Sequence, residues 1–213
     1  MKRRTLLGLA GAGTLAATAG CMDIVSGDTI EYRAAGATVP ESVSDETGYD
    51  FVDTHEITVN EPVGMAGISR DVIATNIQTE FEKTVSIDPL GSAPAAAFSI
   101  IATPSVSILG REFNPVADMS TEEIAELIRD NYDGMGDLSY QETETHDVGG
   151  ESVAVSEYLA DASLDGTPID LELLISEAVS FDDDLVLAIG AYPTLTPAEE
   201  SNIRSLMAAI EPM

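Results

Sequence analysis

Regular alternation of apolar and polar residues restricts the fold of this chain more than any other feature. Between residues 73 and 81, apolar or β-branched residues occupy every second position, and residues 169–175 repeat the pattern. Successive side chains of a strand point to opposite faces, so this spacing predicts half-buried strands. Leu185 to Ala191 is continuously apolar, which is typical of a strand covered on both faces. Residues 95–102 fit a strand or a buried helix.

Two capping boxes predict helices. Ser120 and Glu123 have the spacing in which each side chain satisfies the other residue's backbone N–H, which predicts a helix at about 120–132. Thr196-Pro197-Ala198-Glu199 has the same spacing with proline at a favoured first position, which predicts a C-terminal helix at about 197–210.

The order of these segments predicts a fold class. After residue 118 the chain reads as a helix, about four strands joined by tight turns, and a helix. Asp165-Gly166 and Gly149-Gly150 are typical hairpin turns. We therefore expect an α+β fold in which an antiparallel meander packs against helices. Composition is uniform over residues 29–213, which predicts a single domain.

The N-terminus has the layout of an export signal. A basic start is followed by an apolar run of about 14 residues, shorter than the ~20 of a membrane-spanning helix. Arg3-Arg4 resembles a twin-arginine motif, and the residues before Cys21 resemble a lipobox. We therefore expect a signal peptide at 1–20, lipidation of Cys21, a tether at 21–28, and anchoring to the outer face of the cytoplasmic membrane. A permanent membrane helix is the alternative.

The charge and cysteine content exclude several classes of protein. The net charge of −29 argues against a nucleic-acid partner, which needs clustered basic residues. A single cysteine cannot form an internal disulfide or a cysteine-based metal framework. Acid-rich and lysine-poor, the composition resembles that of halophilic proteins, whose surface charges are screened in molar salt. An acidic chelating or adhesion domain is the competing interpretation, but the acids are spread evenly rather than clustered.

One segment comes close to a metal-binding pattern. Asp161, Ser163, Asp165 and Glu172 follow the spacing of a calcium loop, except that serine replaces a usual acid or amide. Both flanks alternate as strands, whereas a calcium loop needs helices. A hairpin is therefore the preferred interpretation, with a calcium-stabilised module as a weaker alternative, and no cofactor is predicted.

Motifs for catalysis are absent. No nucleophile elbow, phosphate-binding loop or helical histidine pair occurs. We expect His55 at an edge or on the surface of a strand, His146 to have no zinc partner, and Asp182-Asp183-Asp184 to form a solvated turn. A carboxylate-based hydrolase remains an alternative, because sequence spacing does not restrict a pair of acids brought together in space.

A family resemblance rests on three segments. The leader, the Thr103–Pro115 stretch and the terminal Ile189–Pro193 segment resemble an uncharacterised family of haloarchaeal lipoproteins defined by a domain of unknown function. The resemblance implies export, lipidation and a halophilic origin, and no activity. The helix–meander–helix order also resembles, more distantly, the photosystem II P-subunit and Mog1 group, whose members act mainly as assembly or binding modules. Together these observations predict a non-enzymatic, lipid-anchored binding or assembly module, with the membrane and possibly an envelope protein as partners.

Overall fold

The fold is described by a computed structural model. It describes residues 29–65, 68–87, 91–108, 111–113, 119–131, 135–164 and 166–213. Within these ranges lie thirteen strands: β1 (Ile30–Arg33), β2 (Ala37–Thr38), β3 (Asp50–Met65), β4 (Ile68–Ile87), β5 (Gly91–Pro104), β6 (Val106–Ile108), β7 (Arg111–Phe113), β8 (Met135–Val148), β9 (Glu151–Leu164), β10 (Thr167–Ser176), β11 (Val179–Phe181), β12 (Asp184–Pro193) and β13 (Glu211–Pro212). The described helices are α1 (Glu41–Thr47), α2 (Thr121–Asn131) and α3 (Ala198–Ala208).

One large mixed sheet organises the chain. Its nine strands include the path β1-β4-β5-β12-β10-β9-β8, with β3 added to β4 and β11 added to β12. The β1–β4 pair is parallel, and the other pairs in this sheet are antiparallel. Two small sheets, β2–β13 and β6–β7, lie outside it.

The predicted fold class is wrong. Strands hold most of the described residues, and the sheet is mixed rather than an antiparallel meander packed with helices. The parallel pair joins Ile30 to Val72, a contact between segments that no local pattern links. The two predicted helices are present at Thr121–Asn131 and Ala198–Ala208, and the ambiguous segment 95–102 belongs to β5. None of the described helices is long and apolar enough to cross a bilayer.

One face of the large sheet, here called the covered face, forms a dense core with α1 and α3. Its strands contribute large side chains such as Phe98 and Ile100, which pack with Ile203 and Leu206 of α3. Helix α3 approaches β12 so closely at Gly190 that a Cβ there would overlap the side chain of Ile203. Glycine is therefore required at this point by packing.

The opposite face, here called the open face, is packed only by α2 among the described helices. Ile124 and Ala125 of α2 contact a second apolar cluster that includes Leu173 and Leu187. The start of α2 confirms the predicted capping box. The Ser120 N–H donates to Glu123 Oε2 at 2.8 Å, and the Glu123 N–H donates to Ser120 Oγ at 3.3 Å. Donation from Ser120 also lowers the pKa of Glu123.

The second predicted capping box is wrong. The Thr196 hydroxyl donates to Pro193 O at 2.8 Å, and the Glu199 carboxylate turns away from it. Lys83 Nζ instead donates to Glu199 Oε1 at 2.8 Å, and the glutamate side chain is only 8% exposed. Because a buried carboxylate needs a charged partner, this long-range ion pair takes precedence over the local cap.

Asp184 departs from the predicted solvated turn. Asp182 and Asp183 are exposed, but Asp184 is buried at the start of β12. Its Oδ2 accepts hydrogen bonds from the backbone N–H groups of Ala35 at 2.7 Å and Gly36 at 3.2 Å. The carboxylate thus joins β12 to the connection between β1 and β2. The predicted Gly149-Gly150 turn is present with positive φ at both glycines. Gly166 also has positive φ and lies between the antiparallel strands β9 and β10, while Asp165 is outside the described residues.

Candidate functional site

A cavity of about 740 Å³ lies between the open face and α2. Its floor is formed by apolar side chains of three central strands, and α2 supplies one wall; the floor includes Ile101, Leu171, Leu187 and Ile189, and the wall includes Ile124, Leu127 and Ile128. Leu127 is 50% exposed although it lies on the cavity side. This volume is within the ~300–1,000 Å³ typical of sites for small molecules.

Residue size in β5 explains why the cavity lies on this face. Phe98 and Ile100 point to the covered face, whereas Ala97 and Ser99 point to the open face. On β12, the small Ala191 lines the cavity opposite Ala97 of β5, whereas Leu187 and Ile189 on the same face are large. Small side chains at alternate positions leave volume above the sheet that α2 does not fill.

Polar residues line the cavity from β4 and β5, and Asn131 of α2 and Ser163 of β9 add two more. Asn76, Gln78 and Glu82 line it from this strand, together with Ser99 of β5. Gln78 Nε2 is engaged, since it donates to Glu80 Oε1 at 2.8 Å and to Ser99 Oγ at 3.0 Å. Asn76 differs, because its buried Oδ1 has no hydrogen-bond partner among the described residues. Sequence alternation placed Asn76 in a strand but carried no signal for this role.

A second polar group lies on the covered face beside α3. Arg204 contacts the His146 ring and pairs with Glu200 at 2.7 Å. Burial, followed by the nearby Arg204 charge, lowers the pKa of His146. The Tyr192 hydroxyl donates to the Glu172 carboxylate, and burial is the main cause of the raised pKa of Tyr192.

The carboxylates of this group gather around α3 and do not reach the cavity. Burial, and then the negative charge of Glu172, raises the pKa of Glu157. Glu82 is the one carboxylate among the described residues that line the cavity. The paired acids that a hydrolase would need are therefore not brought together in the cavity.

The predicted site residues are distributed as follows. Cys21, Arg3, Arg4 and Asp165 lie outside the described residues. Asp161 and Ser163 lie on β9, while Glu172 lies on β10 opposite Leu159. The segment is a strand hairpin rather than a helix-flanked loop, and no group of three or more potential metal-binding side chains occurs in the described ranges.

The two histidines have separate environments. His55 lies on β3 opposite Gln78, in a strand that pairs only with β4 within the described part, so its predicted edge position is confirmed. His146 lies on β8 within ion-pair distance of Glu144, at 3.3 Å. The sequence missed the Arg204 contact because it joins segments 58 residues apart.

Fold and cavity together define a predominantly β protein with an apolar cavity on one sheet face. The chain belongs to a family defined by a domain of unknown function (DUF6517), whose model matches residues 36–211. This confirms the expected membership in a family of unknown function; its haloarchaeal and lipoprotein character stays a prediction. No curated protein sequence matches the chain.

Three solved structures are similar at low sequence identity. Cyanobacterial PsbP (CyanoP) from Synechocystis sp. PCC 6803 has 12% identity, covers 84% of this chain and 92% of its own, and gives a TM-score of 0.40. PA94, a protein of unknown function from Pseudomonas aeruginosa, has 11% identity and a TM-score of 0.33; the match covers 72% of this chain and 97% of PA94. The immunity protein TplEi from the same organism has 14% identity and a TM-score of 0.32; the match covers 74% of this chain and 51% of TplEi.

Proposed function

We propose that this protein is an exported, lipid-anchored binding protein whose cavity takes a small apolar ligand. The observation that carries the binding role is the apolar cavity between the open face and α2. Its volume suits a small molecule, and its lining is dominated by aliphatic side chains. The export signal and Cys21 support the location at the outer face of the membrane.

The cavity is apolar whereas the surface is acidic, and this difference favours a ligand-binding site over a space left empty by packing. A chain with a net charge of −29 presents a strongly hydrated surface, and partly exposed aliphatic residues are costly there. Ile101, Leu171 and Ile189 are each only partly buried on the cavity floor. A bound apolar ligand would remove this surface from water, at about 25 cal/mol per Å².

Binding is favoured over catalysis by the chemistry of the lining. A carboxylate-based hydrolase needs two acids facing a substrate, and the described lining offers Glu82 alone. The lining includes no histidine, cysteine, lysine or arginine among the described residues. These side chains fit a site that holds a ligand without transforming it.

Titration with Nile red, a neutral fluorophore that brightens in apolar surroundings, tests the binding role. In molar salt we expect saturable binding by the full chain. Ala97→Phe would fill the cavity from its floor and weaken binding at least tenfold. Ala208→Phe is the matched control, because Ala208 is exposed on α3 and does not line the cavity. Equal binding by both variants would contradict the proposal.

Membrane anchoring has its own test. Cys21→Ser should release the mature protein from the membrane fraction of the producing cell and abolish the mass increase due to lipid. A matched Ser26→Ala variant in the same segment should stay in the membrane fraction. Membrane retention of the Cys21→Ser protein would contradict the anchor and leave the cavity proposal unaffected.

A further inference from the structure

We propose that the ligand is an amphiphile whose head group donates a hydrogen bond to Asn76 and carries no negative charge. The inference rests on the proposed function and specifies the ligand class for the same cavity. It is carried by an unpartnered buried amide oxygen on a residue that lines the cavity, together with the lack of basic side chains in the described lining.

Asn76 is a polar residue at a buried position of the sheet, where an apolar side chain is usual. It lies on β4 opposite Ile57 of β3, and both residues line the cavity. The residue is only 5% exposed, and its Oδ1 has no partner within the described part of the chain. An unsatisfied buried polar atom destabilises a fold, so its presence on a residue that lines a cavity points to a missing partner.

The neighbouring amide makes the contrast clear. Gln78 is two residues further along β4, also lines the cavity, and has both Ser99 and Glu80 as hydrogen-bond acceptors. The described chain therefore supplies acceptors for the Gln78 nitrogen and no donor for the Asn76 oxygen. A donor in the cavity would require the Asn76 amide to rotate about its Cβ–Cγ bond, and this torsion has a broad minimum.

The charge of the lining restricts the head group, because no basic side chain of the described residues lines the cavity. The one acid of the described lining, Glu82, lies further along β4. A carboxylate or phosphate head would lose its hydration without gaining a cationic partner, which is strongly unfavourable. A hydroxyl or other neutral donor can satisfy Asn76 Oδ1 at no such cost.

Three probes of equal chain length test the inference by displacement of Nile red: octan-1-ol, octane and octanoate. We expect octan-1-ol to bind the wild-type protein about tenfold more tightly than octane and octanoate. In Asn76→Leu, affinity for octan-1-ol should fall about tenfold, to that of octane, while affinity for octane is retained. Asn60→Leu makes the matched change at an exposed asparagine of β3 that does not line the cavity, and it should leave all three affinities unchanged.

The outcomes separate this inference from the proposed function. If Nile red binds but octan-1-ol and octane compete equally with the wild-type protein, the Asn76 inference is overturned and the binding cavity stands. Tighter binding of octanoate would also overturn it. If no probe binds, the proposed function itself fails. Asn76→Val, a smaller apolar replacement, should repeat the Asn76→Leu result, so that a folding defect in one variant does not decide the matter.

Discussion

The two faces of the large sheet are made by the same strands and differ in how the chain uses them. On the covered face, α1 and α3 bury large side chains such as Phe98 and leave so little space that Gly190 cannot carry a side chain. On the open face, Ala97 and Ala191 leave a cavity of about 740 Å³ beside α2. Alternation along a strand thus permits one face to provide stability and the other to provide a site.

The polar groups of the two faces differ in their relation to the cavity. The covered face joins distant segments through Lys83 with Glu199 and Asp184 with the Ala35 and Gly36 backbone, although the buried Tyr49 hydroxyl and Arg204 Nε have no partner there among the described residues. The Asn76 oxygen also has no partner in the described chain, and of these three residues Asn76 alone lines the cavity. Fully satisfied polar contacts fix a fold, whereas an unsatisfied one at a cavity is available to a ligand.

The largest expected difference between the faces comes from truncating one side chain on each. Phe98→Ala on the covered face should lower the free energy of unfolding by ~4 kcal/mol, because it leaves a cavity in a closed core. Ile101→Ala on the open face should cost ~1 kcal/mol, since Ile101 already borders open space. Chemical denaturation in molar salt measures both, and equal losses would remove the distinction.

The buried ion pair of the covered face gives the next largest effect. Lys83→Met should destabilise the protein by ~3 kcal/mol, because Glu199 would stay buried without its cation. The double variant Lys83→Met/Glu199→Leu should recover most of this loss, since no uncompensated charge remains. An unchanged melting temperature in the single variant would show that the pair is not part of the stable core.

Two adjacent residues of β12 allow the stability of the two faces to be compared within one strand. Gly190→Ala should cost ~2 kcal/mol, because the new Cβ meets Ile203 of α3. Ala191→Val, one position along and facing the cavity, should change stability by less than ~0.5 kcal/mol. The order of the two thermal midpoints checks the prediction, and a greater loss in Ala191→Val would reverse the assignment of the faces.

The smallest effect concerns Glu157 on the covered face. Burial and the charges of Glu172, Glu200 and Glu142 raise its pKa above 4.5. The folded protein then binds a proton more tightly than the unfolded chain, so the stability contribution of Glu157 is lost as pH rises through the folded-state pKa.

Glu157→Gln should therefore raise stability at neutral pH, by about 1 kcal/mol or less at this partly exposed site. The gain should disappear once the pH falls below about 4.5, where the carboxyl is protonated in both states. Thermal unfolding of both proteins from neutral pH to below about 4.5, at constant salt, measures this difference in stability. Glu151→Gln, at an exposed position on the same strand, is the control.

Local interactions were predictable from the sequence and distant ones were not. The Ser120–Glu123 capping box needs only residues three apart, and it forms as expected. Thr196 and Glu199 have the same spacing, but the Glu199 carboxylate forms an ion pair with Lys83, which is 116 residues away in the chain. The parallel β1–β4 pair likewise depends on a long-range register, and so does the β5–β12 pair, which keeps the sheet from being a meander.

The candidate site was only partly visible in the sequence. Along β5, Phe98 and Ile100 face one side of the sheet, and the smaller Ala97 and Ser99 face the other. This difference in size between the two faces can be read from the sequence once the segment is taken as a strand. What the pattern could not supply is the position of α2 over the same face, or the lack of a partner for Asn76. Both arise from tertiary packing.

The central claim, that the open face binds an apolar ligand, is tested most directly by methyl NMR spectroscopy. Octan-1-ol would be titrated into methyl-labelled protein in molar salt. We expect saturable chemical-shift changes at the methyl groups of Ile101, Leu171 and Ile189 on the cavity floor. The methyl signals of Ile100 and Ile203 on the covered face should not change. Shifts confined to the covered face, or no saturable shift at the floor residues, would contradict it.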